Sequence, residues 1–238
     1  MVNSLRMQAT EITVSKEDYL KAIIEAESEG HTVIPAFLAQ WLGVSAPAVT
    51  KALRRLREDG YVNSATDGPL KLTTKGREAA HRTALRHHLV ERMLAEIFGM
   101  EWHQIHAEAE RLEHVISPAF EAKLIERLGE EGECPHGNRV LPETPTQLRR
   151  RGLLCLSEAP TGSQVIVASL YERDSRLLEF FHTLGIGPGT TLTPLSRNYD
   201  DTLRVRAGSR ELTLGVFAAD RIWVRPPAPP KPRKQKSK

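Results

Sequence analysis

The sequence predicts an α+β chain in three parts, and three observations predict it. Amphipathic helical patterns and a short hairpin fill the first third. Longer helical patterns rich in histidine and glutamate follow. Short strand-like runs separated by turns make up the last third. A length of 238 residues with 40% hydrophobic side chains suffices for one large domain or two to three small ones. No run approaches the ~18 apolar residues of a membrane span, and the first residues lack the apolar stretch of a signal peptide. Cys134 and Cys155 are the only cysteines, so no disulfide framework is indicated. A reducing, cytoplasmic location with no membrane partner is the expectation.

Residues 1–14 show no clear periodicity. Ser15 then reads as an N-cap with Asp18 three residues on, and Leu20, Ile23 and Ile24 form a buried side before Gly30. Asp18 by itself reads as a first-turn acid complementing the helix dipole. A second helix starts at Pro35, and Gly43-Val44-Ser45 forms a turn. Ser45 caps a third helix whose apolar positions 49, 53 and 56 face inward. Lys51, Arg54, Arg55 and Arg57 lie opposite. Tyr61 to Asn63, an Asp67-Gly68 turn and Leu70 to Leu72 suggest a hairpin wing. This order predicts a winged helix-turn-helix over 10–81 that binds double-stranded DNA. Ser45, Ala46, Pro47, Ala48, Thr50 and Lys51 would face the major groove, where small side chains permit close approach. Arg54, Arg55 and Lys71 are placed for phosphates. The plain alternative is a small helical domain with a solvated basic face.

Residues 82–150 form the helical middle. Thr74 to Phe98 is one long helical pattern that contains His87 and Glu91. After Gly99, His106 to Ile116 forms the next. His106, Glu110, Glu113 and His114 fall within roughly a 100° arc of a 3.6-residue helix. Ile105, Ala109, Leu112 and Ile116 form the neighbouring apolar stripe. Seven of the nine histidines lie between 81 and 136. A single His/Glu pair four residues apart is ordinarily a surface contact worth a few tenths of a kcal/mol. Two imidazoles and two carboxylates on one arc, with a second pair on the preceding helix, instead form a ligand row for divalent cations. Ser117-Pro118 starts a further helix to Leu128. The moderate apolar content of these helices predicts a homodimer that buries the remainder.

Residues 129–146 read as a loop holding Cys134 and His136, which alone is a weak metal signal. From 153 to 226, short strands at Val165–Leu170, 190–193, 203–206, 211–214 and 221–224, with a helix at Asp174–Leu184, indicate a small SH3-like barrel. The stretch 227–238 is a Pro-rich basic tail with a disordered composition. Its charge suits either polyanion attraction or solubility.

This order of winged helix, ligand-bearing helices and small barrel resembles the diphtheria toxin repressor family of metal-dependent transcriptional regulators, over about residues 10 to 225. RHHLVERML around His87 and Glu91, HAEAERLEH at 106–114, CPHGN at 134–138 and the LGIGPG turn carry the resemblance. It implies a dimer whose operator binding is ordered by metal, repressing metal-uptake genes. It also implies two metal sites per chain: Asp18, Glu110, Glu113 and His114 in one; His87, Glu91 and His106 in the other, joined by Cys134, His136 and Asp174. Iron-type members carry methionine and cysteine where this chain has Asp18 and Glu110. The two carboxylates therefore resemble the manganese branch, with its SH3-like (FeoA-like) domain, and hard oxygen donors suit Mn²⁺. Lys21 stands where some manganese regulators have a glutamate, which argues against a closely spaced ion pair. An Fe²⁺-dependent regulator is the alternative. A metal-dependent hydrolase is a distant one, since no nucleophile or acid/base constellation accompanies the ligands. Neither enzyme activity nor an organic cofactor is expected. His31, His81, His88, His103 and His182 read as surface or packing residues, and Cys155 as a packed thiol.

Overall fold

In a computed structural model of the chain, residues 14–63 and 68–227 are described. Three helices open it: α1 (Val14–Ser28), α2 (Pro35–Leu42) and α3 (Ala46–Glu58). Helix α1 is already formed at Val14, so Ser15 lies inside it rather than before it, and its side chain falls outside the described residues. Gly43 ends α2 in the left-handed conformation (φ 64°), and the Ser45 side chain accepts from the Ala48 N–H at the start of α3. That turn lets α2 and α3 pack over Leu20, Ile23, Leu38, Leu53 and Leu56, all fully buried. A large aliphatic side chain so buried contributes roughly 1.5–3 kcal/mol. The wing is a bridge between Val62 and Leu72. Its Asp67 and the tail residues 228–238 lie outside the described residues.

Helix α4 (Thr74–Glu96) follows the wing, capped by the Thr73 hydroxyl, which accepts from the Gly76 N–H. A Cβ at Gly76 would meet the Tyr61 carbonyl oxygen at 1.9 Å, so glycine sets how closely α4 approaches the wing. Helix α4 runs from the winged unit into the middle one, packing on α1, on α5 (Trp102–Leu112) and on α6 (Pro118–Leu128). Helix α5 begins and ends four residues earlier than its sequence pattern indicates. Glu113 is its C-cap and His114 lies in the following turn. The middle core is small: Leu89, Val90, Met93, Leu94, Ile105, Ala109 and Leu124.

The stretch after α6 ends in a short helix that the sequence reading does not contain, α7 (Pro145–Arg150), set by a Thr144/Gln147 capping box. Six antiparallel strands follow: β1 (Leu154–Cys155), β2 (Val165–Leu170), β3 (Thr191–Arg197), β4 (Thr202–Ala207), β5 (Arg210–Gly215) and β6 (Ile222–Arg225). Their order is β1-β6-β2-β3-β4-β5. Helix α8 (Ser175–Leu184) follows β2, and the short α9 (Val216–Ala219) links β5 to β6. Phe181 and Leu178 of α8 plug the sheet's apolar face among Leu156, Leu192, Val205 and Ile222. Helix α8 also packs on α5, which brings the end of β2 against the histidine-rich helices.

Candidate metal centre

The inner cluster is built around one carboxylate oxygen. Glu91 Oε1 lies 3.1 Å from His87 Nε2, 3.1 Å from His106 Nδ1 and 3.4 Å from His136 Nδ1. His87 and Glu91 share one face of α4 by their four-residue spacing, and α5 lays His106 across them with 3.0 Å between the two imidazoles. His136 and Cys134 come from the loop after α6. That loop docks on the barrel: the Leu170 N–H donates to the His136 carbonyl, and a Cβ at Gly137 would meet the Ala168 carbonyl at 1.9 Å. The sixth member is Glu172, just beyond β2. Its carboxylate lies 3.4 Å from His136 Nδ1 and 3.5 Å from Cys134 Sγ, held by a 2.6 Å hydrogen bond from the Asn138 amide. His136 Nε2–H donates to the Trp102 carbonyl at 2.8 Å, which leaves Nδ1 turned toward the carboxylates. A crevice of about 370 Å³ reaches His87, Glu91, Cys134 and Glu172 from outside.

The outer cluster joins α1 to the end of α5. His114 Nε2 lies 2.8 Å from Asp18 Oδ1 and 3.3 Å from Glu113 Oε1; its Nδ1 is 2.9 Å from Glu17 Oε2. Arg86 of α4 contacts Glu17 at 3.3 Å. Lys21 separates the clusters. Its buried ammonium is 2.7 Å from Glu113 and 3.0 Å from His87 Nδ1, and His87 Nδ1 also hydrogen-bonds Glu113.

Burial and neighbouring charges shift the inner cluster strongly and Asp18 of the outer one upward. Burial disfavours the His87 imidazolium, as does Lys21, but Glu91 and Glu113 outweigh them and raise its pKa to about 9. Burial likewise opposes a charged His136, yet Glu172 and Glu91 raise it to about 10. Burial and Glu91 push Glu172 upward, while His136 and His106 bring it down to about 2. Burial pushes the Asp18 carboxyl up, since His114 offsets only part of it. Burial beside Glu91 and Glu172 raises the Cys134 thiol well above its usual value. Protonated His87 and His136, with the buried Lys21 ammonium, thus supply the positive charge that neutralises the buried acids.

The donor sets suit divalent cations. His87, Glu91, His106 and Glu172 each offer an atom within 4.8 Å of the others, as do Glu91, Cys134, His136 and Glu172, and Asp18, Glu113 and His114. Two residues of the sequence-derived sets stand elsewhere. Asp174 caps α8, accepting from the N–H groups of Arg176 and Leu177 at 3.0 Å each, so the barrel's acid in the cluster is Glu172. Glu110 does not join Asp18: its half-exposed carboxylate lies 3.6 Å from His106 Nε2. Glu113, the C-cap of α5, keeps helical backbone angles and its N–H still reaches the Ala109 carbonyl, so it stays on the arc; it is the Glu110 side chain that turns away, toward His106 and solvent. Glu172 and Glu17 escape sequence reading. The signal for Glu172 was available: an Asp directly before Ser175 is occupied as a cap, which leaves the acid two residues upstream free. In the winged unit, Ser45, Ala46, Pro47, Ala48, Thr50, Lys51, Arg54, Arg55 and Lys71 are all exposed.

Comparison with known proteins places these features in a family. Residues 11–70 match the iron dependent repressor N-terminal DNA binding domain, 73–142 its metal binding and dimerisation domain, and 154–226 the FeoA domain. The iron-dependent repressor IdeR of Mycobacterium leprae is 32% identical over 219 residues, covering 87% of this chain and 95% of that protein. The diphtheria toxin repressor of Corynebacterium jeikeium is 30% identical, covering 74% and 82%. A solved manganese-dependent transcriptional repressor in complex with manganese superposes with a TM-score of 0.77 at 31% identity, covering 89% of this chain and 99% of that one. The chain therefore belongs to the iron-dependent (diphtheria toxin) repressor family of metal-dependent transcriptional repressors.

Proposed function

We propose that the chain is a manganese-dependent repressor that binds operator DNA as a homodimer, with metal ordering the dimer. The observation that carries this reading is the outer cluster, in which Asp18 of α1 meets Glu113 and His114 at the end of α5. Asp18 belongs to the unit that carries α3, whereas Glu113 and His114 belong to the helical unit. A bound divalent cation supplies the charge that holds Asp18 and Glu113 together. Asp18 and His114 then fix α1 against α5, and α1 positions the recognition helix α3. In a dimer this sets the spacing of two such helices, which must match half-sites about 34 Å apart or a multiple of it. The outer cluster offers only oxygen and imidazole donors, which suits Mn²⁺; the inner one adds a thiol and more imidazoles, which favour later metals. Fe²⁺ is the second reading, favoured by the similarity to the iron-dependent repressor IdeR of Mycobacterium leprae.

The test is DNA binding to the chain's own promoter region at fixed salt, with chelator, buffered Mn²⁺ or anaerobic Fe²⁺. Binding stimulated by Mn²⁺ and abolished in Asp18→Ala is the expected result. A ~100-fold stimulation corresponds to about 2.7 kcal/mol of coupling. Stimulation by Fe²⁺ alone selects the iron reading, and binding indifferent to chelator removes both.

A further inference from the structure

We propose that Glu101, His103 and His182 form a third divalent-cation site, separate from both clusters above, that clamps the helical unit to the barrel. Glu101 immediately precedes α5, His103 is the second residue of α5, and His182 lies in the last turn of α8. One ligand atom from each falls within 4.8 Å of the other two. The His103 and His182 rings are stacked at 3.9 Å between centroids and 23° between planes. Trp102 backs the pair, its ring 5.9 Å from each imidazole.

His103 supplies the independent observation. It is buried, 8% exposed, and its Nδ1 has no hydrogen-bond partner. Its Nε2 is 3.6 Å from the Glu179 carboxylate, longer than a hydrogen bond. A buried polar group left this way is destabilising, because it has given up water and gained no partner. A coordinated cation removes that cost by taking an imidazole lone pair. Two imidazoles and a carboxylate are the donor set of Zn²⁺, Fe²⁺ and Co²⁺ sites with further positions left for water. Glu179, on the same helix as His182, stands by as a fourth donor. The site is also linked to the inner cluster, because the Trp102 carbonyl between Glu101 and His103 receives the His136 Nε2–H. A cation there fixes α5 on α8 and, through Trp102, the orientation of His136.

The test uses the full chain stripped with chelator and dialysed against buffered Zn²⁺, with bound metal counted per protomer. Glu101→Gln and His182→Gln are each expected to lose one ion relative to the parent while melting normally in chelator. Combining His182→Gln with Glu172→Gln, which disables the inner cluster, is expected to lose one ion more than Glu172→Gln alone. An unchanged ion count in both single variants overturns the proposal. So does a double variant that loses no more than Glu172→Gln, since the missing ion would then belong to the inner cluster. Neither result bears on metal-stimulated DNA binding through Asp18, so the two proposals fail separately.

Discussion

Glu172 and Asp174 are both acids at the junction of β2 and α8, yet the backbone gives them different work. Asp174 spends its carboxylate on two N–H groups at the start of α8, whereas Glu172 faces His136 and Cys134. Asp174→Ala is therefore expected to cost about 1 kcal/mol of barrel stability, the worth of an N-cap, with metal affinity unchanged. Glu172→Gln is expected to weaken metal binding at least tenfold, the scale on which even outer-shell partners act. Calorimetric metal titration beside chemical denaturation separates the two, and equal metal affinity in Glu172→Gln would contradict its role. Protons give a second prediction at this scale. At pH 7.5 His87 (about 9) and His136 (about 10) hold their protons in the metal-free chain. A ligating imidazole must be deprotonated, so metal binding releases up to about two protons per protomer from these histidines, and a further one where Cys134 ligates as a thiolate. The sign follows: metal affinity rises with pH until those pKa values are passed and falls in acid. Titrations in buffers of different ionisation heat count the protons released, and a count of zero would contradict the assignment. Most of the residues that cluster in the structure were legible from i, i+4 spacing and the family resemblance. The grouping was not. Glu110 drops out of the Asp18 set because helical phase shows which residues share a face but not which way each side chain turns, and its carboxylate lies by His106.

At the scale of elements, the loop carrying Cys134 and His136 and the barrel edge beside it form one device. Gly137 is pressed on Ala168, and Arg173, next to Glu172, reaches the winged unit, where its guanidinium lies 3.9 Å from the Trp41 ring and pairs with Glu25. The inner cluster and the recognition unit are thus joined through two consecutive residues of the barrel. Arg173→Ala is expected to leave metal affinity near the parent's, since its side chain points away from the donor atoms, onto Trp41 and Glu25. It should reduce metal stimulation of DNA binding severalfold, within the 0.5–2 kcal/mol range of coupling residues. Stimulation equal to the parent's would remove the barrel from the switch. The sequence indicated the helices and strands because their apolar periods are strong. This junction was illegible, because an arginine over a tryptophan more than a hundred positions away leaves no local pattern.

At the scale of the molecule, the described chain leaves apolar surface on the helical unit that its own small core does not use. Ile97 and Phe98 at the α4–α5 turn, Val115 after α5 and Phe120 in α6 are exposed, Val115 by 72% and Phe98 by 67%. The barrel also exposes Tyr199 and Phe217, but the helical unit has the smallest of the three cores, and it is the part that matches a metal binding and dimerisation domain. Moderate apolar content in these helices pointed to a partner surface, although sequence periodicity could not say which residues stay uncovered. If a second copy covers Val115, placing a charge there buries an unpaired carboxylate at the seam. Val115→Asp is then expected to sediment as a monomer in conditions where the parent is a dimer, with its own helices intact by circular dichroism. Operator affinity should fall more than either recognition helix's contacts explain, because two linked half-site contacts gain a factor of 10²–10⁴ over one. Metal binding by Asp18, Glu113 and His114, whose donors all come from one chain, should survive. A monomeric variant that still binds metal but has lost tight operator binding would separate the sensing step from the DNA-reading step. A dimeric Val115→Asp protein would instead move the interface to another face of the helical unit.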